Sequence, residues 1–185
     1  MRLLILQLKF RRRERLGRRL GACLVRVWER LGTFDGVDPF LIVPVPLFHL
    51  RERERGFNQA RVLAEGLRSG IERPQAGREV RIESDVLVRT RATLPQAGLR
   101  FQARKENVRG AFSVVNPKLV EGRQIVLVDD VMTTGATLSA CAGVLKKRGA
   151  SKVYALALAR ATPQFPDVEV WPQATGIDEF GRDWT

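Results

Sequence analysis

The stretch Ile125-Val-Leu-Val-Asp129-Asp130-Val-Met-Thr133-Thr134-Gly135-Ala136-Thr137 constrains this chain more than any other. Ile125 to Val128 is apolar and β-branched at three of four positions, the pattern of a strand buried on both faces. Thr133 to Thr137 is a run of small, hydroxyl-rich residues around Gly135. Leu138 to Arg148 has helical spacing, with Leu138, Cys141, Ala142 and Leu145 on one face and Gly149 as a stop signal. A strand, a tight loop and a helix make half of a βαβ unit, so the chain is expected to build an α/β sheet.

Chemistry enters at the junction. A helix N-terminus offers free backbone N–H groups and the positive end of a dipole, which suits a phosphate. The hydroxyls of Thr133, Thr134 and Thr137 can add donors, and Gly135 lets the backbone approach a ligand closely with φ > 0. Asp129 and Asp130 fall at the carboxyl end of the strand, where open α/β sheets bind ligands. Two adjacent carboxylates repel one another and need partners if buried; sugar hydroxyls and a hydrated Mg²⁺ are suitable ones. An ordinary strand-to-helix turn with a Thr N-cap would account for one threonine, but not for three or for the paired acids.

This string resembles the phosphoribosyl pyrophosphate (PRPP) loop of type I phosphoribosyltransferases. The resemblance implies that Asp129 and Asp130 hold ribose hydroxyls and, directly or through water or ligand, Mg²⁺. It implies that Thr133, Thr134, Gly135, Ala136 and Thr137 hold the 5′-phosphate. It is not the nucleoside-triphosphate P-loop, since the chain has no Gly-x-x-x-x-Gly-Lys-Ser/Thr.

At 185 residues the chain is long enough for one domain with a sizeable core. No apolar run approaches the roughly 18 residues of a membrane helix. The short apolar start runs straight into Arg11-Arg12-Arg13, the wrong order for a secretion signal, so a cytoplasmic location is expected. Cys23 and Cys141 both fall on apolar helix faces and read as buried free thiols. With His49 as the single histidine, a zinc site is not expected. Elemental analysis of the purified protein should therefore show no stoichiometric zinc; one tightly held ion per chain would refute this.

The net charge is +12, and residues 1–30 carry +8 of it. Leu16, Leu20, Leu24, Val27 and Leu31 recur at helical spacing in this segment, with Arg18, Arg19, Arg26 and Arg30 mostly elsewhere. Either this is a solvated helix face or it is a strip for nucleic-acid phosphates, with Arg11, Arg12, Arg13, Arg18 and Arg19 as the candidate contacts. Phe40 to Val43 reads as a buried strand stopped by Pro44-Val45-Pro46. Leu47 to Phe57 reads as a loop, with Arg51, Arg53, Arg55 and Gly56 as a candidate site for an anion such as pyrophosphate. Asn58 caps a helix that ends at Gly70. Asp85 to Arg89 is a short strand, and Thr90 to Arg100 is a link containing Pro and Gly that carries Arg91 and Arg100 next to Arg89. Phe101 to Val108 is helical, while Ala111 to Val115 and Lys152 to Ala159 are strands. Residues 163–185 form an acidic segment with three prolines, in which Trp171, Phe180 and Trp184 could anchor it to the domain.

Val43-Pro-Val-Pro-Leu, Arg51-Glu-Arg-Glu-Arg-Gly-Phe-Asn-Gln-Ala60, Pro95-Gln-Ala-Gly-Leu99 and Arg104-Lys-Glu-Asn-Val-Arg-Gly-Ala-Phe112 narrow the resemblance. They are similar to the ComF group of phosphoribosyltransferase-like proteins, which are associated with DNA uptake in natural competence. ComF proteins usually open with a four-cysteine zinc ribbon. This sequence opens where that ribbon should have ended: either this member lacks it, or the start was assigned downstream of it.

The expected fold is a three-layer α/β domain with a mainly parallel sheet, of the type I phosphoribosyltransferase kind. Residues 1–162 would form it, with 1–31 as a basic helical segment and 163–185 as the acidic tail. The resemblance implies a DNA-uptake protein with a PRPP-type site, single-stranded DNA as a ligand and competence-machinery proteins as partners. Two alternatives stay open: a working Mg²⁺-dependent phosphoribosyltransferase, and a PRPP-sensing regulator without turnover.

Overall fold

The computed structural model describes residues 14–30, 40–71, 80–93, 101–162, 165–169 and 175–176. The apolar run of the sequence is the middle of the sheet. Strand β5 (Gln124–Met132) lies between β1 (Phe40–Pro44) and β6 (Lys152–Thr162) and is parallel to both. β2 (Val80–Ile82) adds in parallel on the far side of β1, and β7 (Phe165–Glu169) adds antiparallel beyond β6. The two-residue β8 (Thr175–Gly176) also pairs antiparallel with β6. β7 and β8 belong to the acidic segment; Trp171, Phe180 and Trp184 lie outside the described residues.

Alternation along the strands makes the layers. Leu41, Val43, Ile125, Leu127, Val153 and Ala155 point into one core. Helix α6 (Ala136–Lys147) packs there through Leu138, Cys141, Ala142 and Leu145, the face expected from the sequence. A second small sheet joins this side, with β3 (Leu87–Arg89) antiparallel to β4 (Phe112–Val114) and helix α5 (Phe101–Val108) between them in the chain. Phe40, Ile42, Val126, Val128 and Leu156 point the other way, against helices α1 (Glu14–Cys23), α2 (Val25–Arg30) and α4 (Gln59–Gly70).

The strand order β2-β1-β5-β6 places a switch point between β1 and β5. From β1 the chain crosses through α4 to one side; from β5 it crosses through α6 to the other. Right-handed crossovers in opposite directions put the two helices on opposite faces, as observed. They also leave a crevice at the carboxyl ends of β1 and β5, where such sheets bind ligands.

α1 lies on α4 at backbone contact. A Cβ on Gly21 would stand 2.2 Å from the carbonyl oxygen of Leu63, and one on Gly66 would stand 2.1 Å from that of Arg18. Gly17, Gly21 and Leu20 therefore form the buried face of α1.

Three readings need correction. Leu47–Phe57 contains a helix, α3 (His49–Arg55), built from strong helix formers and stopped by Gly56 at φ 82°. The helical stretch expected from Leu16 to Leu31 is interrupted at Leu24, between α1 and α2, and Leu31 lies outside the described residues. Cys23 is exposed, because the contact with α4 turns residues 17, 20, 21 and 24 inward and leaves 23 off that face; Cys141 is buried as expected. Among the described residues no helix is long and apolar enough to cross a membrane.

Candidate functional site

A cleft of about 440 Å³ fills the crevice between the ends of β1 and β5. One wall is the β5–α6 junction. Asp129 and Asp130 are half-buried there, and β5 runs two residues past them because its pairing with β6 continues to Met132. Asp129 Oδ1 accepts a hydrogen bond from the Asp130 backbone N–H at 2.8 Å, which fixes that carboxylate against the strand. Thr133, Gly135, Ala136 and Thr137 line the cleft. Thr134 is the member of the run that does not, and its buried Oγ1 has no hydrogen-bond partner among the described residues.

The helix N-terminus carries no side-chain cap. The N-cap of α6 is Gly135, at φ 73°. An L side chain is disfavoured at that φ, and a threonine cap would occupy the N–H groups that a phosphate needs.

The opposite wall comes from the end of β1 and the helices after it. Arg51 and Arg55, four residues apart, face the cleft from α3. Arg53 points elsewhere and is exposed. Gly56 closes α3, its N–H donating to the Glu52 carbonyl at 2.8 Å, and does not line the cleft. Asn58 ties this wall to the sheet: its Nδ2 donates to the Val45 carbonyl at 3.1 Å, and its Oδ1 accepts the Ala60 N–H at 3.0 Å. Its reading as the cap of α4 is thereby confirmed.

Two further arginines enter from the β3–β4 side, Arg89 at the end of β3 and Arg104 on α5. Arg89 lies 5.4 Å from the Phe112 ring centroid and donates through Nη2 to Thr93 Oγ1. Arg91 turns away from the cleft and clasps the end of α5, donating to the carbonyls of Asn107 at 3.0 Å and Arg109 at 2.7 Å. Residues 94–100, with Arg100, lie outside the described residues.

The charges are arranged in opposed sets. Burial lowers the pKa of Arg55; Arg51 pushes the same way, while Asp130 and Glu54 oppose it. Burial also lowers that of Arg89, against Cys141 and Asp129, with Arg51 and Arg91 adding to the depression. Burial, reinforced by Asp129, pushes the Cys141 thiol well up, so it stays protonated at neutral pH and Asp129 is the anion that Arg89 meets. Asp130 thus acts on Arg55 and Asp129 on Arg89 within the cleft. Four arginines against two aspartates leave the cleft net positive, as suits a multiply charged anion.

Sequence reasoning missed Gln59, Arg89 and Arg104 as cleft residues. Arg104 and Gln59 stand inside motifs that were read for resemblance and capping alone, and Arg89 reaches the cleft only through the β3–β4 pairing. Of the nucleic-acid candidates, Arg18 is engaged by Glu65 at 3.0 Å and Glu14 at 3.5 Å; Arg19 is exposed; Arg11, Arg12 and Arg13 lie outside the described residues.

The phosphoribosyl transferase domain family matches residues 60–178. Among curated proteins, competence protein F of Haemophilus influenzae is 36% identical over 124 residues, covering 66% of this chain and 51% of that protein. DNA utilization protein YhgH of Escherichia coli (strain K12) is 37% identical over 158 residues, covering 85% of this chain and 66% of that protein. Competence protein ComFC of Bacillus subtilis (strain 168) is 35% identical over 133 residues, covering 70% of this chain and 49% of that protein. The chain spans from about half to two thirds of the length of these relatives.

Proposed function

The chain belongs to the ComF group of the phosphoribosyl transferase domain family, and from that premise we propose that it is a DNA-uptake protein whose cleft binds PRPP and whose basic helices bind single-stranded DNA. One observation carries the first half. The uncapped N-terminus of α6, the aspartate pair and four arginines converge on one crevice at the switch point of the sheet. The 5′-phosphate would sit on the α6 N–H groups and the Thr133 and Thr137 hydroxyls, and the ribose hydroxyls on Asp129 and Asp130. Arg51 and Arg55 would face the diphosphate.

The donor set fits Mg²⁺. No group of three metal-ligating side chains exists among the described residues. Two adjacent carboxylates suit a small hard cation that keeps waters and takes its other oxygens from a phosphorylated ligand. When bound, Mg²⁺ would neutralise diphosphate charge; Asp129 and Asp130 would hold it directly or through water. Calorimetric titration with PRPP should give saturable binding that Mg²⁺ strengthens, and a flat titration would remove this reading.

The DNA half rests on the exposed arginines of α1 and α2, the +12 net charge and the names of the relatives. Binding to single strands is expected to show little sequence preference and to fall steeply with salt, because counterion release drives it. Neutralising Arg11, Arg12, Arg13, Arg18 and Arg19 together should weaken binding and flatten the salt slope. Arg19→Gln alone should lower the slope by about one unit or less, and Arg18→Gln by less still, since Glu65 already holds Arg18. Mobility-shift titrations over a salt series that leave the five-fold variant unchanged would reduce these helices to a solvated face.

A further inference from the structure

Gln59 is the first residue of α4, lines the cleft and is 2% exposed. Its Nε2 is buried with no hydrogen-bond partner among the described residues. A buried amide donor without a partner is destabilising and is rarely kept without a use. The Nε of Arg89, which lines the same cleft, is likewise buried and without a partner. Arg51, on the same wall as Gln59, lies within electrostatic reach of both Arg55 and Arg89. Two orphaned donors and three clustered guanidiniums around one space call for an acceptor that carries negative charge.

We propose that Gln59 is a ligand-reading residue whose Nε2 donates to a phosphoryl oxygen lodged against the β1 wall, with the Arg89 Nε donating to the same group. This rests on the cleft being a phosphate-ligand site, and it goes further by naming a neutral side chain as the reader of the second phosphoryl group. Guanidiniums attract any anion. A carboxamide fixed at a helix start sets the position of one oxygen, and so separates ligands carrying a phosphoryl group there from those that lack one. The phosphoryl group could belong to a sugar diphosphate or to a nucleic-acid backbone; the chemistry at Nε2 is the same.

The test uses the full chain and three probes: ribose 5-phosphate, inorganic pyrophosphate and an oligo(dT) strand. Gln59→Leu removes the donor at similar volume, and Gln59→Glu replaces it with a repelling carboxylate. Loss of one hydrogen bond to a charged oxygen should weaken pyrophosphate binding about tenfold in the first variant, and repulsion should weaken it further in the second. Ribose 5-phosphate, held at α6, should bind within about twofold of wild type in both. Thermal melts should show Gln59→Leu at least as stable as wild type, because an orphaned donor has gone. If oligo(dT) affinity falls in parallel with pyrophosphate, the phosphoryl group read is also that of a nucleic-acid backbone; if only pyrophosphate suffers, it is that of the sugar diphosphate. Unchanged pyrophosphate and oligo(dT) binding in both variants would overturn the proposal. So would an equal loss of ribose 5-phosphate, which would make Gln59 a prop of the whole cleft. Wild-type protein that binds ribose 5-phosphate but neither other probe would overturn the proposal alone; wild type that binds none of the three would overturn the site reading with it.

Discussion

Changing Asp129 and Asp130 together to Asn is expected to weaken binding of Mg·PRPP by at least about a hundredfold while leaving metal-free pyrophosphate binding intact or tighter. Each carboxylate that holds a ribose hydroxyl or a metal-bound water loses a charged hydrogen bond, at about 1.5–3 kcal/mol apiece. Arg55 and Arg89 lose the anions that act on them, so the cleft becomes more positive. For a bare phosphate that change is favourable. The two effects have opposite signs, which makes the pair of titrations decisive. The fold should persist, because the side-chain oxygen of an asparagine at position 129 can still accept the backbone N–H of residue 130, the bond that Asp129 makes at 2.8 Å. Equal Mg·PRPP affinity in variant and wild type would show that these acids hold neither ribose nor metal. Tighter pyrophosphate binding alongside lost Mg·PRPP binding would separate their role from simple electrostatics.

Much of this was legible in the sequence because it was local. Strand β5, the run Thr133–Thr137 and helix α6 are contiguous, and an apolar run, small residues and helical spacing report their own conformations. The Asn58 cap lies two residues from the N–H it accepts, so it too was readable. Helix α3 was not, since its seven residues, five of them alternating Arg and Glu, carry no apolar stripe and turn helical between Phe48 and Gly56. Only after it folds does the spacing of Arg51 and Arg55 place both in the cleft while Arg53 faces away. Arg89 and Arg104 were hidden for a longer-range reason. They come from the β3–β4 hairpin and its helix, whose position over the cleft depends on packing against α6. The orphaned donor of Gln59 could not be read at all, because sequence shows a polar residue at a helix start and does not show what lacks a partner there. The glycines of α1 and α4 were passed over for the same reason: a close approach of two backbones has no signature in either helix alone.

That approach makes Gly66→Ala the most damaging small substitution expected in the fold. In an exposed helix interior Gly→Ala is favourable by about 0.5–1 kcal/mol, since the unfolded chain loses freedom and alanine favours helix. At Gly66 the new Cβ would stand 2.1 Å from the Arg18 carbonyl oxygen and 2.8 Å from its Cα, both backbone atoms that no rotamer change can move. α4 cannot simply retreat, because Leu63 and Leu67 on it are fully buried against the sheet. The clash should therefore outweigh the propensity gain, with a net loss of about 2–3 kcal/mol, the scale of core overpacking. In a chain of this size that lowers Tm by about 4–12 °C. Gly21→Ala, whose Cβ would meet the Leu63 carbonyl at 2.2 Å, should behave alike. Gly143 on α6 is the internal control: it is exposed, a Cβ there meets nothing within 4 Å, and Gly143→Ala should raise Tm slightly. Melting curves of the three variants decide the matter. If Gly66→Ala melts above wild type, as Gly143→Ala should, then α1 and α4 stand further apart than backbone contact.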